Sequence, residues 1–468
     1  MAGYYDRLLK VCGFEDDEID TDRPRIERVL QKLELGPDDM TSAENWLKEI
    51  HGEALKGLRK VLSIWLKELF DLVLAKNEGK KLVYYGFPTI TGPAMAIAAS
   101  SAEVLCACPD VILTNTLGQI FNKLTPVLEA GEENGLPPGH ALCSLQKIRV
   151  GGMAKGFIPV PDMVLTSSYY CDMGSKTDEL LREKYGHRAI YVDGCMDSRW
   201  GEFPDFSPER VAYLGTRIDN ALDRVKEILG VEVTEQARHE GASRNRDVIQ
   251  ALSQLIELQK SADPQPISIV EVEQCRRLVA GSASRRVMTD ASEAIGLLTQ
   301  TVRERIDKGI GVVEKGAPRT LCHLAHQSDP RIMRMVEDCG IAVPTTITIF
   351  LSSAKVGKPV SFISGKELAE LEMERGIYHG TYGLIKRCAE AAQETKVDGV
   401  IFNYLIDCRV LGQPSHLLKQ FVEKETGVPV LALEMELADS RTYSAETLRT
   451  KVETFADMLR ARKASRRS

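Results

Sequence analysis

Two stretches of this chain alternate short, wholly apolar runs with amphipathic segments, and a block of helical text separates them. In the first stretch, residues 81–86, 163–168 and 189–193 read as strands, with helical residues 176–185 between the last two. In the second, residues 319–325, 341–349, 399–404 and 428–434 do the same. Apolar strands separated by helices are buried on both faces and pair in parallel through right-handed crossovers. The pattern therefore predicts an α/β protein with two Rossmann-like lobes, each built on a parallel sheet. Residues 1–78 form a helical leader, 79–206 the first lobe, 207–312 a helical connector, and 313–468 the second lobe with a C-terminal helix. Helical spacing of Leu55, Leu58, Val61, Leu62, Trp65, Leu66 and Leu69 supports the leader. Ser207 followed by Pro208 marks the start of the connector, since serine caps and proline suits the first helical position.

The length of 468 residues exceeds what one core organises, in keeping with more than one packed unit. A net charge of -7 gives no reason to expect nucleic-acid binding, and the basic tail from Arg460 to Arg467 reads as a solvated terminus. The amino terminus lacks the apolar core of a secretory signal, and no run approaches the roughly 18 apolar residues of a membrane span. A cytoplasmic location is expected, where thiols stay reduced. The eleven cysteines are then core residues or metal ligands rather than disulfides.

An α/β chain invites a nucleotide hypothesis, but the phosphate loops fail. Gly309-Ile-Gly311 has no glycine three residues further on, and Gly311-Val-Val-Glu-Lys-Gly316 is followed by Ala317-Pro318 where a P-loop needs lysine and a hydroxyl. ATP hydrolysis by this chain is not expected. No Gly-x-Ser-x-Gly elbow and no His-Glu-x-x-His pair occurs, and His323 with His326 is a weak zinc signal without a nearby carboxylate.

What remains is a set of cysteines at strand ends. Pro161-Asp-Met-Val-Leu-Thr-Ser-Ser-Tyr-Tyr-Cys171 and Val400-Ile-Phe-Asn-Tyr-Leu-Ile-Asp-Cys408 each run a strand into a cysteine-bearing loop at its carboxyl end, where open α/β sheets hold ligands. Two thiolates delivered this way from distant parts of the chain suggest a metal site between the lobes. Cys143, in His140-Ala-Leu-Cys-Ser-Leu-Gln-Lys147, precedes a short helix whose positive end favours a thiolate, so it is a further candidate ligand. Taken singly, each of these cysteines reads more readily as an ordinary buried residue than as a ligand.

The order and surroundings of Cys143, Cys171 and Cys408, together with Gly427-Val-Pro-Val-Leu-Ala-Leu-Glu434 and Asp439-Ser-Arg-Thr-Tyr443 before a terminal helix, resemble the family of benzoyl-CoA reductases and (R)-2-hydroxyacyl-CoA dehydratases. The resemblance runs from about Lys80 to Leu459 and is to a subunit like the D-component of 2-hydroxyglutaryl-CoA dehydratase. It implies that the three cysteines ligate a 4Fe-4S cluster between the lobes, with one iron open to another ligand. It further implies one-electron, low-potential chemistry on a CoA thioester, ending in loss of a hydroxyl or reduction of an aromatic ring. An ATP-hydrolysing iron-sulfur activator would supply the electron, which agrees with the missing phosphate loops, and a homologous second subunit or a homodimer is implied.

Departures from the family pattern leave alternatives open. Relatives often carry another cysteine after the second strand of the second lobe, where this chain has Val343-Pro-Thr-Thr-Ile-Thr-Ile-Phe-Leu-Ser352. Conversely Cys106, Cys108, Cys195 and Cys322 lie near strand ends. Those extras stand either as idle thiols or as ligands of a double-cubane eight-iron cluster, as in related reductases of small molecules, with Cys322 and Cys106 foremost. A cluster-bearing electron-transfer partner without turnover is the remaining reading. As catalytic hydroxyls the sequence offers Ser168 and Tyr170, beside Ser167 and Tyr169, with Thr89 and Thr91 in the first loop. Asp172 and Asp407 next to the cysteines would make such a site more negative.

Overall fold

The computed structural model describes residues 3–466 apart from 54, 88–89, 139–141, 169–170, 195–197, 204–206, 324–327, 348–363, 374–379, 407, 409 and 413–414. Two parallel sheets organise it, as the alternation of apolar runs predicts. The first comprises β1 (Lys81–Tyr84), β2 (Val104–Ala107), β3 (Met163–Ser167) and β4 (Arg188–Val192) in the order β2-β1-β3-β4. Val83 faces Met163 across β1 and β3, and Val164 faces Ala189 across β3 and β4. The second comprises β5 (Arg319–His323), β6 (Ala342–Ile347), β7 (Gly399–Leu405) and β8 (Val430–Met435) in the order β6-β5-β7-β8.

The two orders are the same: the first strand sits inside, the second goes to one side, and the third and fourth to the other. Chain direction across the sheet thus reverses between the first and third strands, which opens a crevice at their carboxyl ends. Strand β2, only four residues long, is not among the strands read from sequence. Thr91, expected in the first loop, instead opens the helix Thr91–Ser100, which takes Gly92 and Pro93 into its first turn.

The leader forms the helices Asp6–Val11, Asp16–Lys32, Pro37–His51 and Lys56–Leu74. It is docked onto the rest: the Trp46 indole Nε1 donates to the Gln119 carbonyl at 2.7 Å, and Arg334 Nε donates to the Ile50 carbonyl at 2.7 Å. Four connector helices follow, Pro208–Leu229, Glu235–Ser261, Ile269–Gly281 and Arg285–Asp307. Thr234, Ser268 and Ser284 cap the last three through side-chain oxygens that accept a first-turn amide. Glu68 of the leader accepts from Ser282 at 2.8 Å and Ser284 at 2.5 Å at that last junction, inside a fully enclosed site. The C-terminal helix, Ala445–Ser465, starts from Ser444, whose hydroxyl accepts from the Thr447 amide. Among the described residues, no helix is long and apolar enough to cross a membrane.

Candidate functional site

The helix Ser144–Ala154 is enclosed within the first lobe and meets the second at its N-terminus, through Ser144. Ten of its eleven residues are buried, including Gln146, Lys147 and Arg149, and it presses against the helix Thr125–Glu133. A Cβ on Gly151 would stand 1.8 Å from the Val127 carbonyl oxygen, so only glycine allows the approach. Its N-cap is Cys143, whose ψ of 133° lies outside the helical range, at the end that meets the second lobe.

Of the ten described cysteines, seven are buried and three, Cys143, Cys171 and Cys408, are partly exposed. Cys171 follows β3 and Cys408 follows β7. Both therefore lie at the carboxyl end of a third strand, beside the crevice of their own sheet. Although far apart in sequence, the three thiols feel one another's charge. Burial raises the Cys143 thiol well above its ordinary value, and then Glu436, Cys408 and Cys171 raise it further, against a lowering bond from the Leu145 amide. Burial pushes Cys408 up to about 11, with Cys171 and Glu436 adding to it and the Leu411 and Val410 amides opposing. The Leu411 N–H donates to Cys408 Sγ at 3.3 Å.

Burial disfavours the thiolate forms of Cys143 and Cys408, and a cationic centre beside them would favour release of their protons. Soft sulfur donors, partial access and amide donors to sulfur fit an iron-sulfur group. Among the described residues no three Cys, His, Asp or Glu side chains form a group that could hold one metal ion.

The other sequence candidates fall elsewhere. Cys106 is buried in β2, where burial raises its thiol and Tyr85 is its neighbour. Cys322 is buried in β5, pushed up to about 12 mainly by burial, with Glu337 and Glu273 as its charged neighbours. Cys108 is buried beside Asp110. Ser168 Oγ donates to Asp193 at 3.2 Å in an exposed position, and Thr91 Oγ1 donates to the Ala280 carbonyl at 3.0 Å. Asp172 pairs outward with Lys176 at 3.0 Å. His323 is buried and stacked on Phe402, with ring centroids 4.4 Å apart. Tyr169, Tyr170, Thr89, Cys195, Asp407 and His326 lie outside the described residues.

Two groups are absent from the sequence reading, one at the interface and one within the first lobe. Glu436, one residue past β8 and buried, accepts the Ser144 N–H at 3.2 Å and the Leu437 N–H at 2.7 Å, while Ser144 Oγ accepts the Ala438 N–H at 2.9 Å. This reciprocal pair ties the two lobes beside Cys143. A signal existed in the acidic residue closing the carboxyl end of an apolar strand. The second group is Arg149, which bonds Asp110 at 2.9 and 2.7 Å, Asp178, and the Phe87 carbonyl at 3.0 Å. Asp110 in turn accepts the Phe87 N–H at 2.7 Å, so the loop after β1 is braced from beneath. A Cβ on Gly86 would fall 1.9 Å from the guanidinium carbon, which is why glycine stands there.

Comparisons with known proteins bear on this site. A family model described as 2-hydroxyglutaryl-CoA dehydratase, D-component, matches residues 101–459, a span that includes all three partly exposed cysteines. The (R)-phenyllactyl-CoA dehydratase alpha subunit of Clostridium sporogenes is 19% identical over 341 residues, covering 69% of this chain and 77% of that protein.

Proposed function

This chain belongs to the 2-hydroxyglutaryl-CoA dehydratase D-component family, and from that membership we propose that it is a catalytic subunit of a 2-hydroxyacyl-CoA dehydratase, with Cys143, Cys171 and Cys408 holding a 4Fe-4S cluster at the lobe interface. The observation that carries the reading is that, among the described cysteines, these three are the partly exposed ones, with Cys171 and Cys408 each following the third strand of its sheet. The matched family and the named relative are both described as dehydratases, which favours loss of water over ring reduction. The relative is an alpha subunit, which supports a second, homologous subunit as partner. With no phosphate loop in this chain, an ATP-hydrolysing activator protein is the proposed source of electrons.

When bound, the cluster supplies a single low-potential electron to a CoA thioester. The chain's own residues do the rest. Cys143, Cys171 and Cys408 would hold the centre as thiolates. The Leu411, Val410 and Leu145 amides donate toward the ligand sulfurs and partly offset their charge. Arg149 fixes the loop after β1 at the mouth of the first crevice, and the Ser144–Glu436 pair keeps the lobes in register.

Anaerobic iron and sulfide analysis with electron paramagnetic resonance tests the assignment. Cys143→Ser, Cys171→Ser and Cys408→Ser are each expected to lose most of the iron and the signal, whereas Cys322→Ser keeps both. Unchanged iron in the first three variants would refute the ligand set.

A further inference from the structure

Residues 198–203, which follow β4 of the first lobe, reach the second lobe through aromatic side chains. Arg199 to Glu202 form a turn in which the Glu202 N–H donates to the Arg199 carbonyl at 3.0 Å and Gly201, at φ 93°, takes the left-handed position. The Glu202 carboxylate holds this turn in shape, accepting the Arg199 N–H at 2.8 Å and the Arg210 guanidinium of the helix Pro208–Leu229 at 2.5 Å. Trp200 stands at the tip. Its ring meets Tyr382, near the start of the helix Gly380–Thr395, edge-on with centroids 5.1 Å apart. It also lies tilted against Phe421 of the helix Ser415–Thr426, at 5.8 Å. Three residues on, Phe203 is buried, with the Arg387 guanidinium of the helix Gly380–Thr395 5.1 Å from its ring centre.

This tie between the lobes differs in kind from the clamp made by Ser144 and Glu436. The clamp is buried, whereas Trp200 is 57% exposed. A ring that keeps more than half of its surface in water can part from its neighbours without uncovering a core. Its place in the chain gives the parting a consequence. The segment that leads to Trp200 is bonded to the one that leads to Cys171: the Ser168 N–H donates to the Val192 carbonyl at 3.2 Å, and Ser168 Oγ donates to Asp193 at 3.2 Å. Phe421, in turn, lies on the helix that follows Cys408. The aromatic contact therefore joins the two segments that bear Cys171 and Cys408, each at the carboxyl end of a third strand.

We infer that Trp200 is a latch between the lobes: docked on Tyr382 and Phe421 it closes the approach to the thiols of Cys171 and Cys408, and on release it opens that approach while the buried clamp keeps the lobes together. The inference goes beyond the proposed function and stands on contacts between the lobes, not on a cluster. Under the dehydratase reading, a closed latch would keep water from the centre.

Thiol labelling with N-ethylmaleimide tests it on the full chain freed of metal by chelation, with each cysteine followed by peptide mass spectrometry. In Trp200→Ala, Cys171 and Cys408 are expected to react several-fold faster than in wild type, while Cys322, buried in β5, stays unreacted in both. Trp200→Phe keeps an aromatic face for Tyr382 and Phe421 and is expected to restore most of the wild-type protection. Phe421→Ala should also speed labelling, and the double variant should be no faster than Trp200→Ala alone, because both changes remove one contact. Wild-type labelling rates at Cys171 and Cys408 in Trp200→Ala would overturn the inference. An equal acceleration at Cys322 would do the same, since it would trace the effect to loosening of the whole fold. Additive acceleration in the double variant would overturn it as well. Should Phe421→Ala lose its native circular dichroism, the two Trp200 variants decide alone. Failure of the cluster reading would leave these rates unchanged, as they are measured without iron.

Discussion

The two lobes share one strand order but support the mouth of their crevice by opposite means. Beneath the end of β1, the first lobe buries a charged network in which Arg149 bonds Asp110, Asp178 and the Phe87 carbonyl. At the end of β5, the second lobe buries a neutral ring: His323 packs flat on Phe402, has no hydrogen-bond partner among the described residues, and is lowered by burial to about 3. The same topology can hold a loop by ionic bracing or leave its rim to aromatic packing. The first choice gives a rigid frame for the lobe that carries two of the thiols. The second makes the other lobe sensitive to acid, since protonating the imidazole would leave a buried cation without a partner.

The largest expected effect lies in the braced lobe. Arg149→Met removes the cation and leaves Asp110 and Asp178 facing each other in a buried site, so a loss of roughly 3–5 kcal/mol in unfolding free energy is expected. Denaturant unfolding checks it. A loss of under about 1 kcal/mol would show that the network relaxes as a surface pair does, and the contrast between the lobes would disappear.

A smaller, pH-dependent effect is expected in the aromatic lobe. The folded-state value of about 3 for His323 lies below the ordinary 6.5, so between these values the unfolded chain binds more protons. Stability attributable to His323 is therefore complete above about pH 6.5 and falls as the pH drops toward 3. Moving from pH 7 to 5 should cost about 2 kcal/mol through this residue. Glu68 and Glu337, both raised by burial to about 7, act with the opposite sign over the same interval, because folding favours their protonated forms. The measurement is hence a difference: His323→Phe, which keeps the aromatic stack, should lose about 2 kcal/mol less than wild type on acidification, when each is unfolded at both pH values. Equal losses would mean that the ring finds a proton acceptor on charging.

This contrast also marks what can be read from a sequence. The sheets are legible because parallel strands buried on both faces must be apolar runs, and Cys171 and Cys408 stand out because each closes such a run. Strand β2 is obscure because four residues, Val-Leu-Cys-Ala, carry no periodicity. Arg149 looks like any arginine in helical text, since its partners Asp110 and Asp178 lie 39 and 29 residues away. Glu436 is further hidden: its bond to Ser144 spans 292 residues and depends on how one lobe sits on the other. Buried charge is paired by tertiary structure, and periodicity does not record the pairing.

An exposed tie between the lobes should reveal how much of their register rests on the buried clamp. Arg441, just past β8, donates to Glu132 of the first lobe at 2.7 Å and to Asp439 of its own lobe at 2.9 and 2.7 Å, with about a third of its side chain exposed. Solvent screens such a pair, and the two long side chains lose rotamer freedom in forming it, so Arg441→Ala is expected to cost only about 0.2–1 kcal/mol. That cost should shrink as salt is added, because the screening length falls to roughly 3 Å at 1 M. The buried bonds of Ser144 with Glu436 and Ala438 have no comparable access to ions and should be indifferent to salt. Thermal unfolding of Arg441→Ala and Ser144→Ala at low and high ionic strength therefore distinguishes rim from clamp. A salt-independent loss well above 1 kcal/mol in Arg441→Ala would place the register of the lobes in the exposed ion pair instead.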